Sequence, residues 1–177
     1  NPSPSQGTTT DGQNLYNTDV TYEVVVYDPL LNKYASGIDN IIFHAKGEDG
    51  TVASLTVDKK GNVVGTEDET GNLINGSGLT VTKKSVKAEN LAKGVEERYI
   101  FEVTIGKGTF NTNGIVLSVE AEDVSTNVQS MSANPIAMDT TQPKVTVSYD
   151  NNDVSNGKYF HAARTATVKI VERNFSN

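Results

Sequence analysis

Gly114-Ile115-Val116-Leu117-Ser118-Val119-Glu120-Ala121-Glu122-Asp123-Val124-Ser125-Thr126-Asn127 is the stretch on which the reading of this chain turns. Ile115, Leu117, Val119 and Ala121 alternate with Val116, Ser118, Glu120 and Glu122. A period of two puts the first set on the buried face of a β-strand and the second on a mostly wet face. Asp123 to Asn127 then reads as a turn, because Asp, Ser and Asn side chains bond nearby backbone and favour a bend. A return strand through Val128 to Met138 follows, and Asp139-Thr140-Thr141-Gln142-Pro143 closes the unit.

The same alternation recurs upstream. Val20 to Tyr27 sets Val20, Tyr22, Val24 and Val26 against Thr21, Glu23, Val25 and Tyr27. Asp28-Pro29 ends it, since proline cannot donate to a ladder. Ser36-Gly37 marks a turn before a strand at Ile41 to Lys46. Thr51 to Val57 alternates again, and Asp58-Lys59-Lys60-Gly61-Asn62 is a polar turn that predicts a hairpin. Leu79 to Thr82 reads as a short strand, and Glu97 to Ile105 as a long one with Tyr99, Phe101, Val103 and Ile105 inward. Gly65 to Gly78 is a polar, acidic excursion, and Ser85 to Gly94 a loop or single helical turn. About seven short strands at such spacings suit an all-β sandwich. No amphipathic segment is long enough for a substantial helix, which excludes an α/β arrangement.

A chain of 177 residues is long enough for one large or two small domains. The formal net charge of −7, from 15 Lys+Arg against 22 Asp+Glu, opposes nucleic acid and anionic lipid as partners. There is no cysteine, which excludes disulfides, thiolate zinc sites and cysteine nucleophiles. No apolar run approaches the roughly 18 residues that cross a bilayer, so direct membrane insertion is not expected. The chain begins without Met and reads as a piece of a longer protein.

Residues 1–15, rich in Pro, Ser, Gly and Thr, read as a linker or leader. Residues 16–138 form the predicted sandwich domain, 139–143 an interdomain linker, and 144–177 an incomplete second repeat. In the last part Lys144 to Tyr149 and Thr165 to Glu172 are strands. Leu15-Tyr16 followed by Thr21 to Tyr27 is echoed by Lys158-Tyr159 followed by Thr165 to Val171, which makes a tandem repeat the expectation. Two strands cannot bury a core by themselves.

These residues carry a resemblance to bacterial immunoglobulin-like domains of Gram-positive cell-surface proteins and adhesins. Asn113-Gly114 with Ser118 to Asn127 resembles the family's penultimate strand and its Asp-x-Ala-Gly-Asn turn, with Ser125-Thr126 standing where Ala-Gly is usual. Asp139-Thr140-Thr141-Gln142-Pro143-Lys144-Val145-Thr146-Val147 resembles the junction that opens a new repeat. Gly157-Lys158-Tyr159 through Arg164-Thr165-Ala166-Thr167-Val168, with Glu172-Arg173-Asn174-Phe175, is similar to the beginning of such repeats. The resemblance covers most of Val20 to Asn177 and implies an immunoglobulin-like β-sandwich in a tandem array outside the cell, attached to the cell surface or wall. It implies neighbouring domains of the same chain as partners and names no ligand.

No catalytic constellation stands out. His44 and His161 lie far apart in sequence, outside any metal-ligand spacing, and no nucleophile elbow or phosphate-binding glycine loop is present. The chain reads as no enzyme. No cofactor is expected, and calcium is the one candidate weighed: Glu122, Asp123, Asn127 and Asp139 offer hard oxygen ligands near the joint, and Glu67, Asp68, Glu69 and Asn72 form a second group in the excursion. Neither group matches an EF-hand, and the plainer reading of Asp123 and Asn127 is a staple within the turn. A Lys–Asn isopeptide crosslink needs a lysine, an asparagine and a carboxylic acid buried together, whereas the lysines here fall mostly on outward or terminal positions. The leading expectation is a stalk spacer or adhesion module. The alternatives are a binding module for host glycan or protein using residues 65–94 or Tyr22, Tyr27 and Tyr34, and a structural domain of a phage or appendage.

Overall fold

In the computed structural model of the chain, the described residues are 5–29, 35–64, 66–67, 73–74, 78–84, 98–155 and 157–174. The elements are strands: β1 (Gly7–Thr8), β2 (Asn14–Tyr16), β3 (Val20–Tyr27), β4 (Ile38–Lys46), β5 (Val52–Asp58), β6 (Thr66–Glu67), β7 (Leu73–Ile74), β8 (Leu79–Lys84), β9 (Arg98–Ile105), β10 (Val116–Asp123), β11 (Val128–Ser132), β12 (Ile136–Met138), β13 (Lys144–Tyr149) and β14 (Ala166–Val171). No helix occurs among the described residues. The chain divides into two compact units, Asn1–Thr140 and Thr141–Asn177.

Two sheets organise the first unit. One runs β3-β9-β8 and the other β11-β10-β4-β5, with antiparallel neighbours throughout. Their inward rows follow from the alternation. Val20, Tyr22 and Val26 on β3, and Tyr99, Phe101, Val103 and Ile105 on β9, share one core with Ile41, Phe43 and Ala45 on β4 and Leu117 on β10. Phe43 and Phe101 meet edge to face at the centre, ring centroids 5.7 Å apart and planes at 63°. A pair of this kind adds about 0.5–1.5 kcal/mol to what the buried area contributes. The sheets therefore face one another across an apolar layer, the arrangement of a β-sandwich.

Residues 5–15 are not a free leader. β1 pairs with β2 in an antiparallel hairpin, and β2 runs parallel to β12 in a small third sheet. Tyr16 is 1 % exposed and Thr9 is also buried. A two- and a three-residue strand are too short to display an alternation, and the Pro, Ser and Gly around them mask the one large apolar anchor, Tyr16. The return strand after Asn127 is likewise two strands. β11 pairs with β10, then Ala133-Asn134-Pro135 intervenes, and β12 changes partner to β2. β4 begins at Ile38, three residues before the apolar run at Ile41, because Asn40 and Ile38 pair with Glu122 and Asp123 across a register shift that skips Asp39.

The second unit is a single antiparallel hairpin, β13 with β14, from Lys144↔Val171 to Tyr149↔Ala166. Val145, Val147, Val168 and Ile170 fall on one face by parity, and all four are exposed. The connection between the strands is organised by Arg164. Its guanidinium lies 3.9 Å from the Tyr149 ring centroid and 3.8 Å from that of Phe160. It also donates to the Asn151 carbonyl at 2.7 Å and to Asn152 Oδ1 at 3.0 Å. In the internal echo Tyr16 lies in β2 and Tyr159 in a bridge to Ser155, and the strands that follow them are β3 and β14.

Candidate functional site

The end of the first unit where β10 turns back into β11 gathers three of the four residues singled out near the joint, Glu122, Asp123 and Asn127. Asp123 accepts from the Asn127 backbone N–H and from Asn127 Nδ2, both at 2.8 Å, while the Asp123 N–H donates to the Asn127 carbonyl at 3.0 Å. These amide donors, the Asn127 side chain foremost, hold the Asp123 carboxyl below the ordinary carboxylate range. The loop leading into β4 is stitched to this turn. Asp28 Oδ2 accepts from the Gly37 N–H at 2.7 Å and from Ser36 Oγ at 3.2 Å, and Val124 N–H donates to the Gly37 carbonyl at 2.9 Å. Next to it, Asn40 Nδ2 donates to Glu122 Oε2 at 3.0 Å.

The structure separates the four proposed calcium ligands. Glu122, Asp123 and Asn127 share this end. Asp139 follows Met138, which bonds through its N–H to the Thr112 carbonyl just ahead of β10, so it belongs to the opposite end of the strand. Eight residues of strand separate the two ends by roughly 25 Å. The Asp139 N–H is bound to the Tyr16 carbonyl at 2.8 Å. Among the described residues no three His, Asp or Glu side chains are grouped so as to hold a metal ion. At Asp123 the carboxylate is taken up by donors of its own turn, which is the staple geometry. Of the second acidic group, Asp68, Glu69 and Asn72 lie outside the described residues, and the side chain of Glu67 does too. So does most of the 65–94 segment.

Among the described residues, Tyr22 and Tyr27 lie on opposite faces of β3. Tyr22 is buried in the core, its hydroxyl without a hydrogen-bond partner, and burial pushes its pKa up to about 12. Tyr27 faces the other way, with the Arg98 guanidinium 5.4 Å from its ring centroid. Tyr34 lies outside the described residues. His44 is half-buried on the outer face of β4, with Ser118 and Ser54 as its cross-strand neighbours. His161 is exposed in the second unit. The buried polar side chains among the described residues are Thr9 and Thr112, and no lysine is among them.

Sequence reading missed that one turn design recurs. Asp58 to Asn62 repeats Asp123 to Asn127 bond for bond: Asn62 N–H and Nδ2 each donate to the Asp58 carboxylate at 2.8 Å, and the Asp58 N–H donates to the Asn62 carbonyl at 2.9 Å. The Asn62 side chain is the chief cause that lowers the Asp58 pKa as well. In both turns the fourth residue is left-handed, Gly61 at φ 84° and Thr126 at φ 65°. Thr9 to Gln13 and Gly47 to Thr51 close with the same backbone bonds, with Gly12 at φ 79° and Gly50 at φ 85° in the fourth place. A three-residue hairpin loop of a type I turn followed by a left-handed residue explains all four. The signal that would have revealed it is the shared spacing in Asp-Lys-Lys-Gly-Asn and Asp-Val-Ser-Thr-Asn.

Taken together, the described residues define an all-β protein of facing sheets with a stapled loop end. Compared with protein-family models, curated proteins and solved structures, the chain gives no match.

Proposed function

We propose that this chain is a non-catalytic immunoglobulin-like module of a bacterial cell-surface protein, acting as a spacer that projects other domains or presents loops for adhesion. The observation that carries the reading is the strand order. β3-β9-β8 corresponds to strands B-E-D of an immunoglobulin sandwich, and β11-β10-β4-β5 to G-F-C-C′. β2, parallel to β12, takes the place of a first strand that crosses to the G side. The Phe43–Phe101 pair occupies the centre that a tryptophan and a disulfide fill in antibody domains, in a chain that has neither Trp nor Cys.

A spacer works through stiffness at its exit. The Asp139 N–H is pinned to the Tyr16 carbonyl at 2.8 Å, and the Thr140 N–H to Asn111 Oδ1 at 3.1 Å. Pro143 follows three residues later and fixes its own φ. The chain is thereby held to the first unit as far as Thr140. This suits a tandem array better than a hinged enzyme.

Antibodies raised against the purified chain test the location: the expected outcome is labelling of intact source cells, and labelling only after lysis would overturn the surface assignment. A glycan and host-protein array tests the role. Absence of binding agrees with a spacer, while saturable binding would replace it with the binding-module reading.

A further inference from the structure

We propose that two copies of this chain associate through antiparallel pairing of β11 with β11, fusing the four-stranded sheets into one continuous sheet. β11 is the edge of its sheet, and all five of its residues are exposed. Met131 is 78 % exposed, and Val128 on the same strand and Val124 in the turn before it are also exposed. An exposed edge is a template for another strand unless charge, proline or a covering segment protects it. The other edges of the two facing sheets have such protection. β5 is covered by the returning chain, through the Val57↔Val63 bridge and the Val64 N–H to Thr56 carbonyl bond at 2.9 Å. β8 carries Lys83 and Lys84, and β3 carries Glu23 between Asp19 and Asp28. Val128-Gln129-Ser130-Met131-Ser132 carries neither charge nor proline.

The occupant follows from the parity of the ladder. Asp123 N–H to Asn127 carbonyl and Ala133 N–H to Leu117 carbonyl, at 3.0 and 2.8 Å, mark the odd-numbered residues of β11 as those bonded to β10. The backbone groups of Val128, Ser130 and Ser132 therefore point to the free edge. A two-fold axis through Ser130 sets Ser130 opposite Ser130, and Val128 opposite Ser132 on each side. All three are bonded pairs, giving about six new backbone hydrogen bonds. The Gln129 Nε2 bond to the Ser130 carbonyl, at 3.0 Å, is compatible with this because a carbonyl has two lone pairs. An uncharged strand meets its own copy without repulsion. The nearest like charges, Glu120 and its copy, lie three strand spacings apart, about 14 Å, beyond the Debye length at physiological salt. An unrelated peptide would need the same absence of charge and the same spacing, whereas a second copy has both by identity.

Sedimentation equilibrium of the full chain at 0.15 M salt, up to millimolar concentration, tests the pairing. Wild type is expected to dimerise reversibly. Ser130→Pro removes the free-edge N–H on both copies without touching the bonds to β10, and is expected to weaken association roughly 30-fold. Should that variant fold poorly, Ser130→Lys puts like charges opposite one another on an exposed position and is expected to abolish dimerisation. Mixing it with Ser130→Glu is then expected to restore a heterodimer. A strictly monomeric wild type, a dimer unaffected by these substitutions, or failure of the Lys and Glu variants to combine would overturn the proposal. So would higher oligomers, or preferential pairing with an added unrelated strand peptide.

Discussion

β9 in the first unit and β13 in the second carry the same pattern and have different fates. Arg98–Ile105 alternates polar with apolar, and so does Lys144–Tyr149. Phe101 on β9 is 0 % exposed, while Val147 on β13 is 54 % exposed. Each strand has an antiparallel partner with a complete ladder. What β9 has in addition is a second sheet facing it, which brings Phe43 onto Phe101. Alternation thus marks a face that prefers burial, but only a facing layer buries it. The difference in stability between the two units should follow from that layer rather than from hydrogen bonding within the strands.

The sharpest way to break this comparison is to empty the layer. Phe101→Ala removes half of the central aromatic pair and leaves a cavity between sheets, which typically costs about 3–5 kcal/mol. Denaturant unfolding of the full chain is expected to show this loss in the main transition. A change below about 1 kcal/mol would mean that Phe101 is not enclosed as described. Among its described residues the second unit has no buried hydrophobic side chain, and its order is expected to rest on Arg164. Arg164→Ala removes two ring contacts and two hydrogen bonds from the connection between β13 and β14. A partly exposed clamp of this kind is worth about 1–2 kcal/mol. Amide exchange in residues 149–165 is expected to accelerate while exchange in β9 and β10 does not change. Equal acceleration in both units would show them to be coupled.

Turn chemistry allows a finer test within the first unit. Thr126 adopts φ 65°, a backbone state that a β-branched residue enters only at a cost, and Gly61 fills the same place in the twin turn. Thr126→Gly is expected to raise stability by about 1 kcal/mol. Gly61→Thr is expected to lower it by a comparable amount, because an added Cβ would also lie 2.8 Å from Lys83 Cβ. The same turns give a pH dependence whose sign is fixed. The folded carboxyls of Asp58 and Asp123 are held down by their Asn partners, so both contribute stability above the unfolded value near 3.9. That contribution disappears as the pH falls from there through the folded values. Carboxyl NMR titration of Asn127→Ala is expected to move the Asp123 midpoint upward and leave Asp58 unchanged.

Length and periodicity decide which elements are legible in the sequence. Strands of six or more residues with a clean period of two, such as Val20–Tyr27 and Lys144–Tyr149, coincide with β3 and β13 residue for residue. β1 and β2 were hidden because two or three residues carry no period. The break between β11 and β12 was hidden because a change of partner leaves no mark on hydrophobicity. Of the candidate site, the staple between Asp123 and Asn127 could be read locally. Its stitching to Asp28 through Gly37 could not, since that depends on which loops the sandwich brings to the same end.

The smallest expected effect is the most direct test of the contrast between the units. Val147→Ala deletes two methyl groups from an inward-parity position whose face is uncovered, opposite Val168. Surface substitutions of this sort change stability by no more than about 0.5 kcal/mol. Val103→Ala, at the corresponding kind of position on β9, removes the same atoms from an enclosed site and is expected to cost several times more. If Val147→Ala proves as damaging as Val103→Ala, the apolar face of β13 and β14 is covered in solution. Repeating the measurement across protein concentration then separates the two sources of cover: a penalty that vanishes on dilution comes from a second copy, and one that persists comes from the same chain.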